Sequence, residues 1–329
     1  MKALVSLSLI ALASSAYPMS KTNGMVGFAK AGGTTGGSRG SVVQINTLTD
    51  LYKNIGGSAP KVLVINKDIK APKITKVYMG SNKSIIGSFG QRTLFNIHLR
   101  ASPSTQNVIF QNLIFKHSAQ FQGNDDIQLY LNFGKNYWID HCTFDGHPYS
   151  DKSVPLDKLI YIGDKADYAT ISNCFFANHH YGLLLGHPAD DNNKQFNGFP
   201  HLTICHNRFE NLKSRAPGLM RYGFFHVYNN YINHFQNGFS VAQNAQVYSE
   251  SNYFGAALTV SKHVLTDYSN GTCTFADPTL AASLLSVKSQ KSKWFPRMYY
   301  SYKATSDKEA VNFTTKNAGS QSKALVFGS

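Results

Sequence analysis

A short strand-like run recurs six times along this chain, and each run ends in a polar turn followed by an aromatic or aliphatic pair. Repeats of this kind, with variable insertions and many β-branched and aromatic residues, are typical of stacked parallel β-coils. Aligning the runs places six residues in one column, separated by 30, 32, 33, 23 and 22 residues: Asn112, Cys142, Cys174, Asn207, Asn230 and Asn252. An Asn at a fixed turn both donates and accepts, so it can pass hydrogen bonds from coil to coil. We therefore predict an all-β solenoid; a β-sandwich with unrelated Asn turns is the alternative.

The first 16 residues have the features of a secretory signal peptide. Lys2 precedes an apolar stretch at residues 3–13, and Ser14-Ser15-Ala16 offers a cleavage site after Ala16. That stretch is too short to cross a bilayer, and no other run reaches transmembrane length. The sequence thus predicts a secreted, extracellular protein with one β-helix domain over 17–329. Sequons at Asn82, Asn270 and Asn312 fit a glycoprotein of that compartment.

Four cysteines in an exported chain allow two disulfides. Cys142 and Cys174 share the repeat column, and stacked strands lie about 4.8 Å apart, inside the Cα separation that a disulfide tolerates. Two buried free thiols that fill the column as small apolar groups are the alternative. Cys205 and Cys273 form the other possible pair.

The formal net charge of +14 indicates a polyanionic partner, since basic exported proteins attract nucleic acid, anionic lipid or acidic polysaccharide. The Lys and Arg residues are spread along the chain rather than gathered in one block. A long acidic sugar polymer lying across the side of a solenoid suits that distribution.

Several motifs, in order along residues 27–255, resemble the pectate lyase superfamily of polysaccharide lyases. They include Trp-Ile-Asp-His at 138–141, Ala-Asp-Tyr-Ala-Thr-Ile-Ser at 166–172, Leu-Leu-Gly-His at 184–187, Arg-Ala-Pro at 215–217 and His-Val-Tyr-Asn-Asn at 226–230. The resemblance implies a right-handed single-stranded parallel β-helix, with a substrate groove along one face. It also implies β-elimination at a uronic acid, in which a base removes the C5 proton and the C4–O bond breaks.

The resemblance assigns roles to the arginines and to the residues that flank them. Arg215 matches the catalytic base of the family, although a guanidinium needs desolvation to serve as one. Arg221 resembles the arginine that holds substrate carboxylate. Tyr181 stands where the family has a substrate-binding lysine, and His180 stands beside it, so both are predicted to bind substrate.

Calcium is the cofactor that the resemblance implies, because the metal neutralises the carboxylate next to the C5 proton. Asp125 and Asp126 match the aspartate region before Trp-Ile-Asp-His, and Asp157 matches the first acidic ligand of a second element. The acid that closes this element is replaced by Tyr161. We expect a weakened calcium site, with Asp164 or the substrate as a compensating ligand.

Asp140 and His141 could form a catalytic dyad, but we assign them a structural role beside the groove. We assign a structural role also to Asn112, Asn207, Asn230 and Asn252. The sequence therefore predicts a secreted, calcium-assisted pectate lyase, expected to be monomeric, that acts on acidic plant cell-wall polysaccharide and binds neither nucleic acid nor membrane. One alternative is a calcium-independent pectin lyase that cleaves methyl-esterified pectin. Another is a non-catalytic wall-binding protein. A hydrolase on the same solenoid would need acids paired across the scissile bond; Asp125-Asp126 offers an adjacent pair, but the lyase motifs make coincidence the better account.

Overall fold

The computed structural model describes residues 17–18, 22–120, 127–148, 157–187, 194–256, 263–268, 273–279 and 290–328. Its strands stack in parallel into a coil with three faces, a right-handed parallel β-helix as predicted. The first face is an 11-stranded sheet. The second and third faces are joined by one long strand, Thr93–Ala101, whose beginning pairs with the second face and whose end pairs with the third.

The first face contains β1 (Ser41–Ile45), β2 (Lys61–Ile65), β4 (Lys83–Gly87), β6 (Val108–Gln111), β9 (Lys135–Asp140), β12 (Asp167–Ser172), β15 (His201–Cys205), β18 (Phe224–Tyr228), β21 (Gln246–Glu250), β24 (Thr274–Ala276) and β25 (Gln290–Lys291). The second face contains β7 (Ile114–Lys116), β10 (Thr143–Asp145), β13 (Phe175–Tyr181), β16 (Arg208–Ser214), β19 (Tyr231–Phe235) and β22 (Tyr253–Phe254). The third face contains β3 (Ile69–Met79), β5 (Thr93–Ala101), β8 (Leu129–Leu131), β11 (Ile160–Ile162), β14 (Leu183–Leu185), β17 (Gly218–Leu219), β20 (Asn237–Val241) and β23 (His263–Asp267).

In the part of the chain that the structure describes, three α-helices lie outside the coil: α1 (Gly27–Ala31), α2 (Leu48–Ile55) and α3 (Asp307–Asn317). A capping box starts α2, where the Thr47 side chain accepts from the Asp50 N–H. Leu51 and Ile55 of α2 enter the core near β1 and β2, so this helix covers the N-terminal end of the stack. Short helix α1 packs on the first face.

The interior is filled by ladders of like side chains, because the parallel register places equivalent residues of successive coils above one another. Phe115, Phe144, Phe176 and Phe209 form one such ladder, with ring centroids 4.6, 5.1 and 5.1 Å apart and nearly parallel planes. All four rings are fully buried. Offset stacking of this kind adds to the hydrophobic gain of burial and keeps adjacent coils in register.

The turn after the first face carries the amide ladder that the repeats predict. Asn207 donates from Nδ2 to Oδ1 of Asn230 at 2.9 Å, and Asn230 donates in the same way to Asn252 at 2.8 Å. The N–H of Cys174 donates to Oδ1 of Asn207 at 2.8 Å. The ladder therefore satisfies buried polar groups across four coils, which is the role that these turns require.

The predicted alignment is wrong at Asn112, which stands one position outside the ladder column. Gln111 pairs with Asp140, so Asn112 is level with His141, and Leu113 is level with Cys142. Both Asn112 and His141 have positive φ, +59° and +47°, at the corner of the coil. Asn is favoured both at that left-handed corner and in the ladder. The short polar turn in the sequence therefore does not show which of the two positions an Asn occupies. Asn112 instead anchors the C-terminal segment, since its Oδ1 accepts from the N–H of Gln321 at 2.7 Å.

All four cysteines are buried free thiols, which decides between the two alternatives for Cys142 and Cys174. The N–H of Cys142 donates to Sγ of Cys174 at 3.4 Å, as expected of neighbours in one column. Cys205 and Cys273 are not joined either, and Cys273 Sγ donates to the carbonyl of Ala242. Burial raises the pKa of Cys205 to about 12, so this thiol is inert.

The C-terminal segment runs back along the outer side of the first face. Tyr300 meets β15 and β18, Thr305 bonds to Asn229, Gln321 bonds to Asn112, and the carbonyl of Val326 accepts from His141. This segment closes the first face and leaves the third face as the side on which a groove can form. Within the described ranges, no helix is long and apolar enough to cross a membrane.

Candidate active site

The third face carries a buried apolar strip on the side turned away from the core, because its short strands alternate between core and exterior. In β11, Ile160 and Ile162 enter the core, and Tyr161 points outward. Tyr161 pairs with Tyr130 of β8 on one side and with Leu184 of β14 on the other. We call Tyr130, Tyr161, Leu184 and Met220 the aromatic strip; they pack as one cluster.

Aromatic stacking fixes one end of the aromatic strip. The rings of Tyr130 and Tyr161 stack with centroids 4.5 Å apart, and the guanidinium carbon of Arg100 lies 4.7 Å above the Tyr130 ring. The Tyr161 hydroxyl donates to Oδ1 of Asp164 at 2.6 Å, and burial raises the pKa of this phenol. Gly163 makes room for the ring, since a Cβ there would lie 2.5 Å from the Tyr161 oxygen. Tyr161 is therefore a neutral donor held in place on three sides.

Arg215 lies at the edge of the aromatic strip, just before β17. Its φ is +61°, and it precedes the cis Ala216-Pro217 peptide. Its Cζ lies 4.6 Å from the centroid of the Tyr181 ring. Gly218 leaves the space that the side chain crosses, because a Cβ at this position would lie 3.2 Å from Arg215 Cγ and 3.0 Å from Met220 Cε.

Burial lowers the pKa of Arg215, while the nearby Tyr181, Asp157 and Tyr268 oppose that shift. A role as a base requires a lowered pKa, because a guanidinium must lose its proton before it can accept one. The same burial places a cation in a site of low dielectric, where it stabilises developing negative charge strongly. Arg215 is therefore a mostly buried guanidinium whose charge is only partly screened.

Asp157 is 4% exposed and lies where β11 begins. Its Oδ1 is ion-paired with Lys158 Nζ and accepts from the Lys158 N–H at 2.9 Å. Its Oδ2 is buried and has no hydrogen-bond partner among the residues that the structure describes. Burial is the main cause that raises the pKa of this carboxyl. The charge of Asp157 is therefore neutralised by the next residue in the chain.

The described part of the predicted calcium set does not fit a calcium site. Hard cations take six to eight oxygens, several of them from carboxylates. Asp125 and Asp126 lie outside the described residues. Oδ1 of Asp157 is ion-paired with Lys158, and Tyr161 offers a hydroxyl that donates to Asp164 where a carboxylate is expected. Within the described ranges, no three His, Cys, Asp or Glu side chains are grouped so as to hold a metal ion.

His179 holds the start of β11 in place. Its Nε2 donates to the carbonyl of Asp157 at 2.5 Å, and its Nδ1 accepts from the N–H of His147 at 3.4 Å. Gly146 makes room for this ring, since a Cβ there would lie 2.3 Å from His179 Nδ1. Burial and the neighbouring His117 lower the pKa of His179 to about 3. His179 is thus a neutral link between the second and third faces.

The other predicted site residues divide between the groove and the scaffold. The His180 ring lies against that of Tyr181 at a tilt of 45°, with centroids 4.3 Å apart, so both belong to the Arg215 cluster. Arg221 is 1% exposed, and its role in binding substrate stays a prediction. Asp140 accepts from Gln111, Ser172 and Asn173 at 2.8 to 2.9 Å, and its Oδ2 lies 2.8 Å from His141 Nδ1. Asp140 and His141 are fully buried beneath the C-terminal segment, on a different face from Arg215.

Sequence reasoning missed Lys158, His179 and Tyr130. One signal for Tyr130 was present, because Asp126 precedes Tyr130 by the same spacing with which Asp157 precedes Tyr161, and both tyrosines stand between aliphatic residues. That repeat predicts a ladder of two tyrosines. The contacts of His179 reach residues 22 and 32 positions away, and nothing local in the sequence indicates them.

Comparison with known proteins agrees with the fold. The family model described as Pectate lyase matches residues 1–323. A pectin lyase of Pseudomonas marginalis is 58% identical over 313 residues, which cover 95% of this chain and 99% of that protein. A pectin lyase of Bacillus subtilis is 48% identical over 340 residues, which cover 99% and 97%. A pectate lyase from Bacillus sp. N165, solved in complex with trigalacturonate, has a TM-score of 0.68 at 26% identity, covering 89% of this chain and 98% of that one.

A parallel β-helix whose relatives are named pectin lyase and pectate lyase is a polysaccharide lyase. The chain belongs to the pectate lyase family.

Proposed function

We propose that this protein is a secreted pectin lyase that cleaves methyl-esterified polygalacturonate by β-elimination without calcium. The observation that carries the proposal is the Asp157–Lys158 ion pair beside Tyr161, at the place where the resemblance puts calcium ligands. The relatives at 48% and 58% identity, which are named pectin lyases, support it. The predicted leader at residues 1–16 supports export.

The chemistry of the ester explains why a metal is dispensable. An ionised carboxylate next to C5 opposes loss of the C5 proton, because the resulting intermediate carries two negative charges on one group. A methyl ester carries no charge, so its α-proton is more acidic and its enolate oxygen needs only one cation or donor. The aromatic strip also suits an ester, since stacked rings and Met220 accept apolar surface that would be costly for a carboxylate.

In the proposed reaction, Arg215 takes the C5 proton, and the C5–H electron pair forms the C4=C5 double bond. The C4–O4 bond breaks, and O4 leaves with the bonding pair and gains a proton from water. Tyr181 holds the guanidinium plane from one side. His179 holds the start of β11, so that Asp157 stays within electrostatic reach of Arg215.

The test is an initial-rate comparison on polygalacturonate and on highly methylated pectin, each with and without a calcium chelator, followed by ultraviolet absorbance of the unsaturated product. We expect a higher kcat/KM on methylated pectin and no loss with chelator. Faster cleavage of polygalacturonate that the chelator abolishes and calcium restores would instead establish the calcium-assisted pectate lyase. Binding of both polymers with no product would establish the non-catalytic wall-binding protein.

A further inference from the structure

The outer side of the first face carries a second exposed surface, built by residues 294–299. Pro296–Met298 form one turn of 3₁₀ helix, and the flanking Trp294 is 6% exposed. Tyr300 fixes the segment, because its hydroxyl lies 2.7 Å from Thr203 Oγ1 of β15 and 2.7 Å from His226 Nδ1 of β18. We call Phe295, Met298 and Tyr299 together with Arg297 the platform.

Three large apolar side chains of the platform face solvent. Phe295 is 47% exposed, Met298 62% and Tyr299 39%. The Tyr299 ring is held rigidly, with centroids 5.4 Å from Phe28, 5.5 Å from His201 and 6.2 Å from Trp294. A cluster of exposed apolar groups on a soluble protein marks an interaction surface more often than a single exposed residue does.

Positive charge surrounds these rings. Lys291, Lys293, Arg297 and Lys303 are exposed, and residues 290–306 contain no Asp or Glu. Arg297 is placed by the Tyr302 ring, whose centroid lies 4.4 Å from its Cζ, and it donates to the Tyr302 carbonyl at 3.3 Å. The platform thus combines ordered apolar surface with an ordered guanidinium, which can pair with a carboxylate in bidentate fashion.

We propose that the platform is a second binding site for partly methyl-esterified polyuronate, distinct from the groove on the third face. Sugar rings offer C–H faces that stack on Tyr299 and Phe295, the methyl ester suits the flexible thioether of Met298, and unesterified units pair with Arg297. The choice of ligand rests on the proposed function. A single-stranded nucleic acid would also use rings and cations, but Met298, the most exposed of the three apolar residues, favours ester and C–H surface over flat bases.

A second site on the same polymer has a definite consequence for binding. Once the platform holds the chain, neighbouring stretches reach the groove at raised effective concentration, so affinity for long polymers exceeds affinity for short oligomers. The gain vanishes for oligomers that are too short to engage both faces. Polymer and oligomer binding therefore separate the platform from the groove.

The test uses the full chain with Arg215→Lys, so that the polymer is not cleaved. The platform variant adds Phe295→Ser, Arg297→Ser and Met298→Ser. The matched control adds Val42→Ser, Tyr52→Ser and Lys53→Ser, two exposed apolar residues and one exposed cation at the N-terminal end. Binding to partly methylated pectin, to polygalacturonate and to short methylated oligomers is measured by titration at low and high salt.

We expect the platform variant to bind long polymer about tenfold more weakly, to bind oligomers normally and to lose part of its salt dependence, while the control changes none of these. With Arg215 intact, the platform variant should keep its kcat/KM on oligomers. Equal polymer affinity in all three proteins would overturn the proposal, as would tighter binding of single-stranded DNA or anionic vesicles than of pectin at the platform. Loss of a wild-type dimer in the variant would assign the surface to self-association instead.

If the triple variant does not fold, Met298→Ser alone decides, and unchanged polymer affinity there also overturns the proposal. If the proposed function is wrong, the preferred polymer and the response to chelator differ from those expected. The difference in polymer affinity between the platform variant and the control stays the same in that case.

Discussion

His179 and Asp157 are joined across two faces of the coil, with the imidazole Nε2–H of His179 donating to the main-chain carbonyl of Asp157. The ring has no freedom to reverse its tautomer, because Nδ1 accepts from the N–H of His147. The position of Asp157 relative to Arg215 therefore depends on a residue that itself lies outside the groove.

Replacing His179 by Ala should lower kcat more than it changes KM, since it loosens the entrance to β11 and leaves a buried carbonyl unpaired, at a cost of about 1–3 kcal/mol in stability. The matched control is His234→Ala, a histidine whose side chain is 50% exposed and which pairs with Glu210 far from the groove. The two variants are compared by steady-state kinetics and by urea unfolding. Equal kcat in both, with His179→Ala destabilised, would make His179 a purely structural residue.

Arg215→Lys should abolish turnover and leave the protein folded. Lysine keeps the positive charge but cannot reproduce the planar guanidinium that lies against Tyr181. Arg208→Lys is the control, because Arg208 also lies over aromatic rings and pairs with Glu210, on the second face. Activity is followed on methylated pectin, and folding by circular dichroism. Wild-type rates for Arg215→Lys would remove Arg215 from the mechanism.

Tyr161→Asp should make the protein responsive to calcium. The new carboxylate would stand near Asp164, the present partner of the Tyr161 hydroxyl, so two acids would repel until a cation binds. We expect a lower Tm without metal, recovered by millimolar calcium, and lower activity on methylated pectin because the stack with Tyr130 is lost. Tyr161→Phe is the control and should not respond to calcium. A wild-type protein whose Tm and activity fall with chelator would contradict the calcium-free proposal.

Asn230→Ala should be among the most destabilising polar substitutions in the chain. Asn230 donates to Asn252 and to the carbonyls of Ile204 and Tyr228, and it accepts from Asn207. Removing it leaves several buried groups unpaired, for a loss of roughly 2–4 kcal/mol. Asn66→Ala, at an exposed position after β2, is the control and should cost little. Similar unfolding midpoints for the two variants would show that the amide ladder contributes no more than a surface turn.

Stability should fall in acid, starting below about pH 6.5. Burial lowers the pKa of His206 and of His226 to about 4, so the unfolded chain binds protons at a pH where the folded chain does not. Each histidine then removes about 1.4 kcal/mol of unfolding free energy per pH unit between its unfolded and folded pKa values. Urea unfolding at pH 7, 6 and 5 measures this slope, and His226→Gln should reduce it. A flat profile over that range would contradict the pKa shifts.

The repeats predicted the coil because each unit carries its own strand and turn signals, and these are local in sequence. Asn207, Asn230 and Asn252 stand in the predicted column, whereas Asn112 does not, because a left-handed corner and a ladder position both favour Asn. The Arg215–Tyr181 contact joins two motifs that the resemblance singled out separately. The Asp157–Lys158 pair and the His179 link could not be predicted, since they depend on burial and on register between coils.

Tyr130, Tyr161 and Leu184 lie side by side on three successive coils. Their positions on the third face therefore do not depend on how many residues separate them in the chain. These residues are neighbours in space although their numbers differ by 31 and 23, and the repeat spacing varies from 22 to 33. A connecting loop can lengthen or shorten without moving the strip, because its two ends are fixed by strand pairing. One loop can therefore be replaced to change which substrate units the protein prefers. The residues on the other coils keep their positions.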